Sequence, residues 1–132
     1  MCTDQKSRPM KKITSALVRV ELVDNWHARW PQVLESLAEL GLLDALCIDQ
    51  DGWLSARQVL LVAFTRSGVA GHLCFRLVPC ATARPDVWVE AHLETFDVQP
   101  GHQSSKITSA LTAAALKRAK ALRCRNLVGF PA

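Results

Sequence analysis

Across positions 17–23, polar Arg19 and Glu21 alternate with apolar and β-branched residues, which predicts a strand. Asp24 or Asn25 is suited to cap the next element. From Pro31 the spacing changes: Val33, Leu34, Leu37 and Leu40 recur at helical intervals, with Pro31 in the first turn and Gly41 as the stop. Positions 42–48 read as a second short helix or a connector. Asp49-Gln50-Asp51-Gly52 is a turn; it opens like a calcium loop, but the later oxygen ligands and closing Glu are absent. The unbroken apolar run 59–64 predicts a buried strand. Thr65 to Gly68 turns the chain, and 69–78 returns as the second arm of an antiparallel hairpin. A loop is expected at 79–85 and a strand at 87–98. Gln99 to Ser105 forms a turn that opens a helix over 107–122, and a last strand comes at 126–129.

The resulting order, β-α-(α)-β-β-β-α-β, is mixed rather than regularly alternating, which predicts an α/β (α+β) fold and disfavours a doubly wound Rossmann sheet. A chain of 132 residues suits one core. The polar segment 1–12, interrupted by Pro9, reads as a flexible arm, and 13–132 as a single domain. The hexapeptide at 12–17 recurs at 106–111, but the first copy enters a strand and the second a helix, so duplication is not inferred.

Composition narrows the function classes. Hydrophobic residues at 49% and charged residues at 21% exclude global disorder. The formal charge of +4 suits an anionic ligand without requiring nucleic acid. Five cysteines, none in a CxxC pair, predict reduced and mostly buried thiols and a cytoplasmic setting. No leader peptide or membrane span is expected from the polar start and the short apolar runs. No metal site is expected either. The basic cluster Lys117, Arg118, Lys120, Arg123 and Arg125 complements the C-terminal end of its helix. No motif accompanies it that would argue for nucleic acid. Trp26, Trp30, Trp53 and Trp88 read as packing groups, with Trp26 and Trp30 four apart on one helical face.

Chemistry concentrates in the strand–turn–helix–strand unit at 87–129. A helix N-terminus presents free backbone N–H groups to an anion. Glu90, His92 and Glu94 share one face of the strand by its two-residue period. A carboxylate half-buried on a strand has its pKa raised and suits a general base.

The stretch Leu93-Glu94-Thr95-Phe96-Asp97-Val98-Gln99-Pro100-Gly101-His102-Gln103-Ser104-Ser105-Lys106-Ile107-Thr108-Ser109-Ala110-Leu111 resembles the strand-to-helix signature of the GNAT superfamily of N-acetyltransferases. Val98, Pro100, Gln103, Ile107 and Leu111 fall in its register without a gap. With the preceding hairpin and the following helix and strand, the resemblance covers 17–130. It implies a mixed, largely antiparallel sheet flanked by helices, acetyl-CoA (acyl-CoA) as cofactor, and acyl transfer to a small-molecule or protein amine. It assigns Glu94, with Glu90 and His92 beside it, to the catalytic position. It assigns Phe96, Asp97 and Val98 to the pantetheine arm, and Gln103, Ser104, Ser105, Lys106, Ile107 and Thr108 to the diphosphate.

Two departures from the family pattern stand out. Ser104, Lys106 and Thr108 replace glycines that let the backbone close on the diphosphate. The chain also has no tyrosine, the residue that usually protonates the leaving thiolate, and reaches Pro131-Ala132 without the family's last helix and strands. His102 or Cys124 remain as candidate donors, along with solvent. These departures favour an alternative: a non-catalytic module that binds a protein partner or senses acyl-CoA. The resemblance also implies an uncovered sheet edge near 127–130, and hence a homodimer that covers it.

Overall fold

The structure is a computed structural model that describes residues 18–81, 87–101 and 104–131. The expected arm at 1–12 and residues 13–17 lie outside the described residues. Five strands form one sheet in sequence order: β1 (Arg19–Val23), β2 (Gln58–Thr65), β3 (Gly68–Ala81), β4 (Val87–Val98) and β5 (Cys124–Val128). Helix α1 (Trp30–Glu39) and a 3-10 turn (Leu43–Ala45) lie between β1 and β2, and helix α2 (Ser104–Ala121) lies between β4 and β5. The first three pairings are antiparallel. The last is parallel, so β4 and β5 need a crossover, and α2 provides it. This is the mixed, largely antiparallel sheet with flanking helices that the resemblance implied.

Each helix covers one face. On α2, Ile107, Leu111, Ala115 and Ala119 are spaced four apart and buried, and they pack on Leu61, Ala63, Leu73, Phe75 and Ala91. The small alanines let the helix approach the sheet. Its N-terminal end seats at Gly71, where an added Cβ would meet the Asp97 carbonyl oxygen at 2.9 Å and Ile107 Cγ2 and Leu111 Cδ1 at 3.3 Å. On the other face, Val33 and Leu37 of α1 pack with Val23, Leu60, Val62, Phe64 and Cys74. Pro31 sits in the first turn of α1. The helix ends in a Schellman motif: Gly41, at φ +72°, donates to Ala38, and Leu42 donates to Leu37.

Several expectations are corrected. Pro79 and Cys80 belong to β3 rather than a loop, paired with Val89 and Trp88. Proline is accommodated because β3 outruns β2, whose pairing ends at Arg76, so that flank of the strand is an edge. Trp26 precedes α1 instead of sharing a helical face with Trp30. Trp30 is buried and donates from Nε1 to the Gly52 carbonyl at 3.0 Å, whereas Trp26 is 79% exposed and meets Trp53 edge-on at 5.3 Å. Of the described cysteines only Cys74 is buried; Cys47 is exposed, and Cys80 and Cys124 are half-buried.

Candidate active site

Strand β4 divides its side chains between two environments. Ala91 and Leu93 face α2, with Ala91 fully buried. Glu90, His92 and Glu94 project from the opposite face, beyond the reach of α1. A bulge adjusts the alternation there. Cys74 pairs with Thr95 and Phe75 with Leu93, so Glu94 is the extra residue on β4.

Glu94 is held from two sides. Gln58 Nε2 donates to its Oε1 at 2.6 Å, and the Arg76 guanidinium lies 3.1 Å from its Oε2. Its side chain remains 20% exposed. A carboxylate has about four lone-pair sites, so these partners orient the group and leave acceptor capacity toward the open face. Beneath lies His72, 1% exposed, with Nε2 3.1 Å from Thr95 Oγ1. Burial depresses the His72 pKa, opposed in part by Asp97.

Glu90 differs from the raised-pKa base expected of a strand carboxylate. Its Oε1 lies 3.0 Å from His92 Nε2, and its Oε2 accepts from Asn126 Nδ2 at 2.9 Å. The His92 hydrogen bond, then that of Asn126, holds its carboxyl below the usual range. Glu90 is therefore a stable anion that orients the His92 ring. Beside this group Arg125 stacks over Trp88 at 4.7 Å, and Trp88 Nε1 is buried with no hydrogen-bond partner.

The cofactor candidates lie where β4 and β5 separate. Their parallel pairing ends at His92 opposite Val128. Gly129 comes next at φ +83° and turns the chain away, with space there for only a marginal Cβ against Leu93 at 3.4 Å. Strand β4 continues to Val98, with Phe96 and Val98 paired to Leu73 and Gly71 of β3. Its β5-side edge over 93–98 has no strand partner among the described residues. The result is a wedge between diverging strands, with the start of α2 beyond it. The Ser104 amide is occupied by the Gly101 carbonyl at 3.1 Å. Ser105 and Lys106 are exposed in the first turn of α2. That turn has no acidic residue. Ile107 is 4% exposed and faces the core, so only its backbone can meet a ligand. Thr108 is half-buried, and its carbonyl accepts from Thr112 Oγ1 at 2.8 Å. His102 and Gln103 lie outside the described residues.

The structure thus brings Glu90, His92 and Glu94 together on one face and places Phe96, Asp97 and Val98 along the wedge. Sequence reasoning missed their partners Gln58, Arg76, Asn126 and His72. The available signal was polarity: His72 and Arg76 interrupt an apolar strand at the same two-residue spacing as Cys74. Among the described residues, no group of three or more His, Cys, Asp or Glu is placed to hold a metal ion. No described helix is long and apolar enough to cross a membrane.

No protein-family model matches the sequence, and no curated protein matches it. Solved structures do match the fold. A ribosomal-protein-alanine N-acetyltransferase from Brucella melitensis biovar Abortus 2308 superposes with a TM-score of 0.60 at 15% identity, covering 85% of this chain and 78% of that one. An aminoglycoside N-acetyltransferase in complex with CoA gives 0.57 at 14% identity, covering 84% and 74%. A GNAT family acetyltransferase from Staphylococcus aureus gives 0.57 at 10% identity, covering 85% and 84%. At these identities the likeness establishes the fold: the chain is folded as GNAT N-acetyltransferases are.

Proposed function

We propose that this protein is an N-acyltransferase that moves an acyl group, acetyl in the simplest case, from acyl-CoA to an amine. The observation that carries this reading is the wedge between β4 and β5. An extended amide-bearing arm finds a β4 edge along 93–98 that has no strand partner among the described residues, and a diphosphate beyond it finds the N-terminal end of α2. The acid-free first turn and the Lys106 charge add attraction for an anion. A solved neighbour of the same fold is a CoA complex, which supports the same cofactor here. Bound there, acyl-CoA supplies the activated acyl group.

The chain's own residues supply the proton chemistry. Glu94, oriented by Gln58 and Arg76, accepts a proton from the incoming ammonium, directly or through a water. The neutral amine then forms the new C–N bond as the C–S bond breaks, the nitrogen gives its second proton to solvent, and the thiolate takes a proton from solvent. Glu90 acts as a positioning residue, fixing His92 at the rim. The acceptor is an amine on a small molecule or a protein; the neighbours include enzymes named for each. The protein is cytoplasmic in this reading. Strand β5 is an edge strand of the sheet, with Leu127 42% and Val128 45% exposed, which supports a homodimer that covers this edge. A monomer by sedimentation at micromolar concentration contradicts the dimer alone.

One observation favours a second reading, in which acyl-CoA or a partner binds without turnover. Ser104, Lys106 and Thr108 bring side chains to the phosphate-facing turn where the family has glycine. Acetylation of a panel of amines separates the two. Transfer that survives in wild type and falls about a hundredfold or more in Glu94→Gln supports the enzyme. Binding of acetyl-CoA with no transfer to any amine supports the sensor.

A further inference from the structure

A second polar site lies at the β1–β2 end of the sheet, two strand spacings or about 10 Å across from β4. Arg19, Arg29, Phe64, Thr65 and Arg66 line a cavity of about 260 Å³ there. Three arginines line this space with little counter-charge. Glu21 is the nearby carboxylate, and it is already committed: its Oε1 lies 2.7 Å from His27 Nε2. His27 Nδ1 accepts from the Arg29 amide at 3.0 Å, so the ring's proton sits on Nε2 and is donated to Glu21. Arg19 reaches Glu21 only at 3.6 Å, longer than a hydrogen bond. Among the described residues no carboxylate lies within ion-pair distance of Arg29 or Arg66.

The arginines are also preorganised. Arg29 stacks over the Phe64 ring at 4.9 Å, which fixes the plane of its guanidinium while leaving the N–H edge available. Phe64 is itself buried, and His27 stacks on it at 5.8 Å. Arg29 is the N-cap residue of α1, a helix whose N-terminus has no side-chain cap and no acidic residue in its first turn. The positive end of that helix therefore adds to the same potential. The chain's own leading segment does not offer balance: residues 1–17 contain Lys6, Arg8, Lys11 and Lys12 against Asp4 alone.

We infer that this cavity is a binding site for a phosphate monoester on a small organic body. Three arginines lining one cavity match a tetrahedral dianion, which accepts hydrogen bonds from several directions; a planar carboxylate is saturated by two guanidinium forks. A volume near 260 Å³ equals about nine waters' share of liquid, room for a phosphoryl group with a small carrier. The site is separate from the β4–β5 wedge and does not depend on acyl transfer.

The test is calorimetric titration of the full chain at low ionic strength with inorganic phosphate and with glycerol phosphate, against chloride at matched ionic strength. Both phosphates bind saturably, glycerol phosphate several-fold more tightly. The exposed double variant Arg29→Ala/Arg66→Ala weakens both at least tenfold with its circular dichroism unchanged, and Arg29→Lys/Arg66→Lys recovers part of the loss. Lys117→Ala, exposed further along α2, leaves binding unaltered. Absence of saturable binding overturns the site, as does unchanged binding in the double alanine variant. Loss in Lys117→Ala instead transfers the phosphate to α2. Equal affinity for the two probes overturns the organic carrier.

Discussion

The two faces of one sheet carry different tasks. Under α2, the face is apolar from β2 to β4, and the helix covers it with an unbroken stripe from Ile107 to Ala119. Opposite, α1 covers β1 and β2, and its apolar contacts end at Cys74 on β3. From there outward the same face holds Arg76, Glu90, His92, Glu94 and Asn126, linked by hydrogen bonds and ion pairs. Strand β4 contributes to both faces, so its alternation divides the packed core from the proposed chemistry. A half-covered face gives a rigid floor that a substrate can reach.

Substitutions on the two faces should therefore separate in their effects. The largest expected change is on the covered face. Leu111 is fully buried between α2 and β3, and Leu111→Ala should cost about 3–5 kcal/mol of stability in denaturant unfolding. On the open face Glu94→Gln keeps the shape, so acyl transfer should fall about 10²-fold or more while stability shifts by about 1 kcal/mol or less. A stability loss like that of Leu111→Ala would mean that Glu94 serves the fold.

His72 sits between these regimes. Burial depresses its folded-state pKa below the ordinary 6.5. Above that pH both folded and unfolded chains carry neutral imidazole. As pH falls below 6.5 the unfolded chain takes up the proton first, so stability drops, by at most about 1.4 kcal/mol per pH unit, until the folded-state pKa is passed. His72→Gln should flatten that slope in unfolding curves between pH 7 and 5. The smallest expected effect lies away from both faces. Arg123 ends α2 at φ +61°, a left-handed conformation suited to glycine, and Arg123→Gly should raise stability by about 0.5–1 kcal/mol in thermal unfolding.

Periodicity made most of the fold legible. Strand β4 was bounded at Val87 and Val98 by its apolar alternation and the following Pro100, and α2 by its Ala-rich run. The extension of β3 through Pro79 was hidden, because proline signals a break unless one knows that the neighbouring strand has already ended. The site was legible in part. Glu90, His92 and Glu94 follow from period two, but their roles depend on partners distant in sequence. Gln58 and Arg76 reach Glu94 only after three strands align, and Asn126 meets Glu90 only through the parallel crossover. The Arg19, Arg29 and Arg66 cavity left no local pattern at all, since it joins a strand start, a helix cap and a hairpin turn.

The wedge between β4 and β5 is central to the proposed activity, and titration with acetyl-CoA followed by amide chemical-shift mapping tests it most directly. Saturable binding of one ligand per chain is expected, competed by CoA, with the largest shifts at Phe96 to Val98, Ser105 and Lys106. Absence of binding at millimolar acetyl-CoA, or shifts confined to the far end of the sheet, would contradict it.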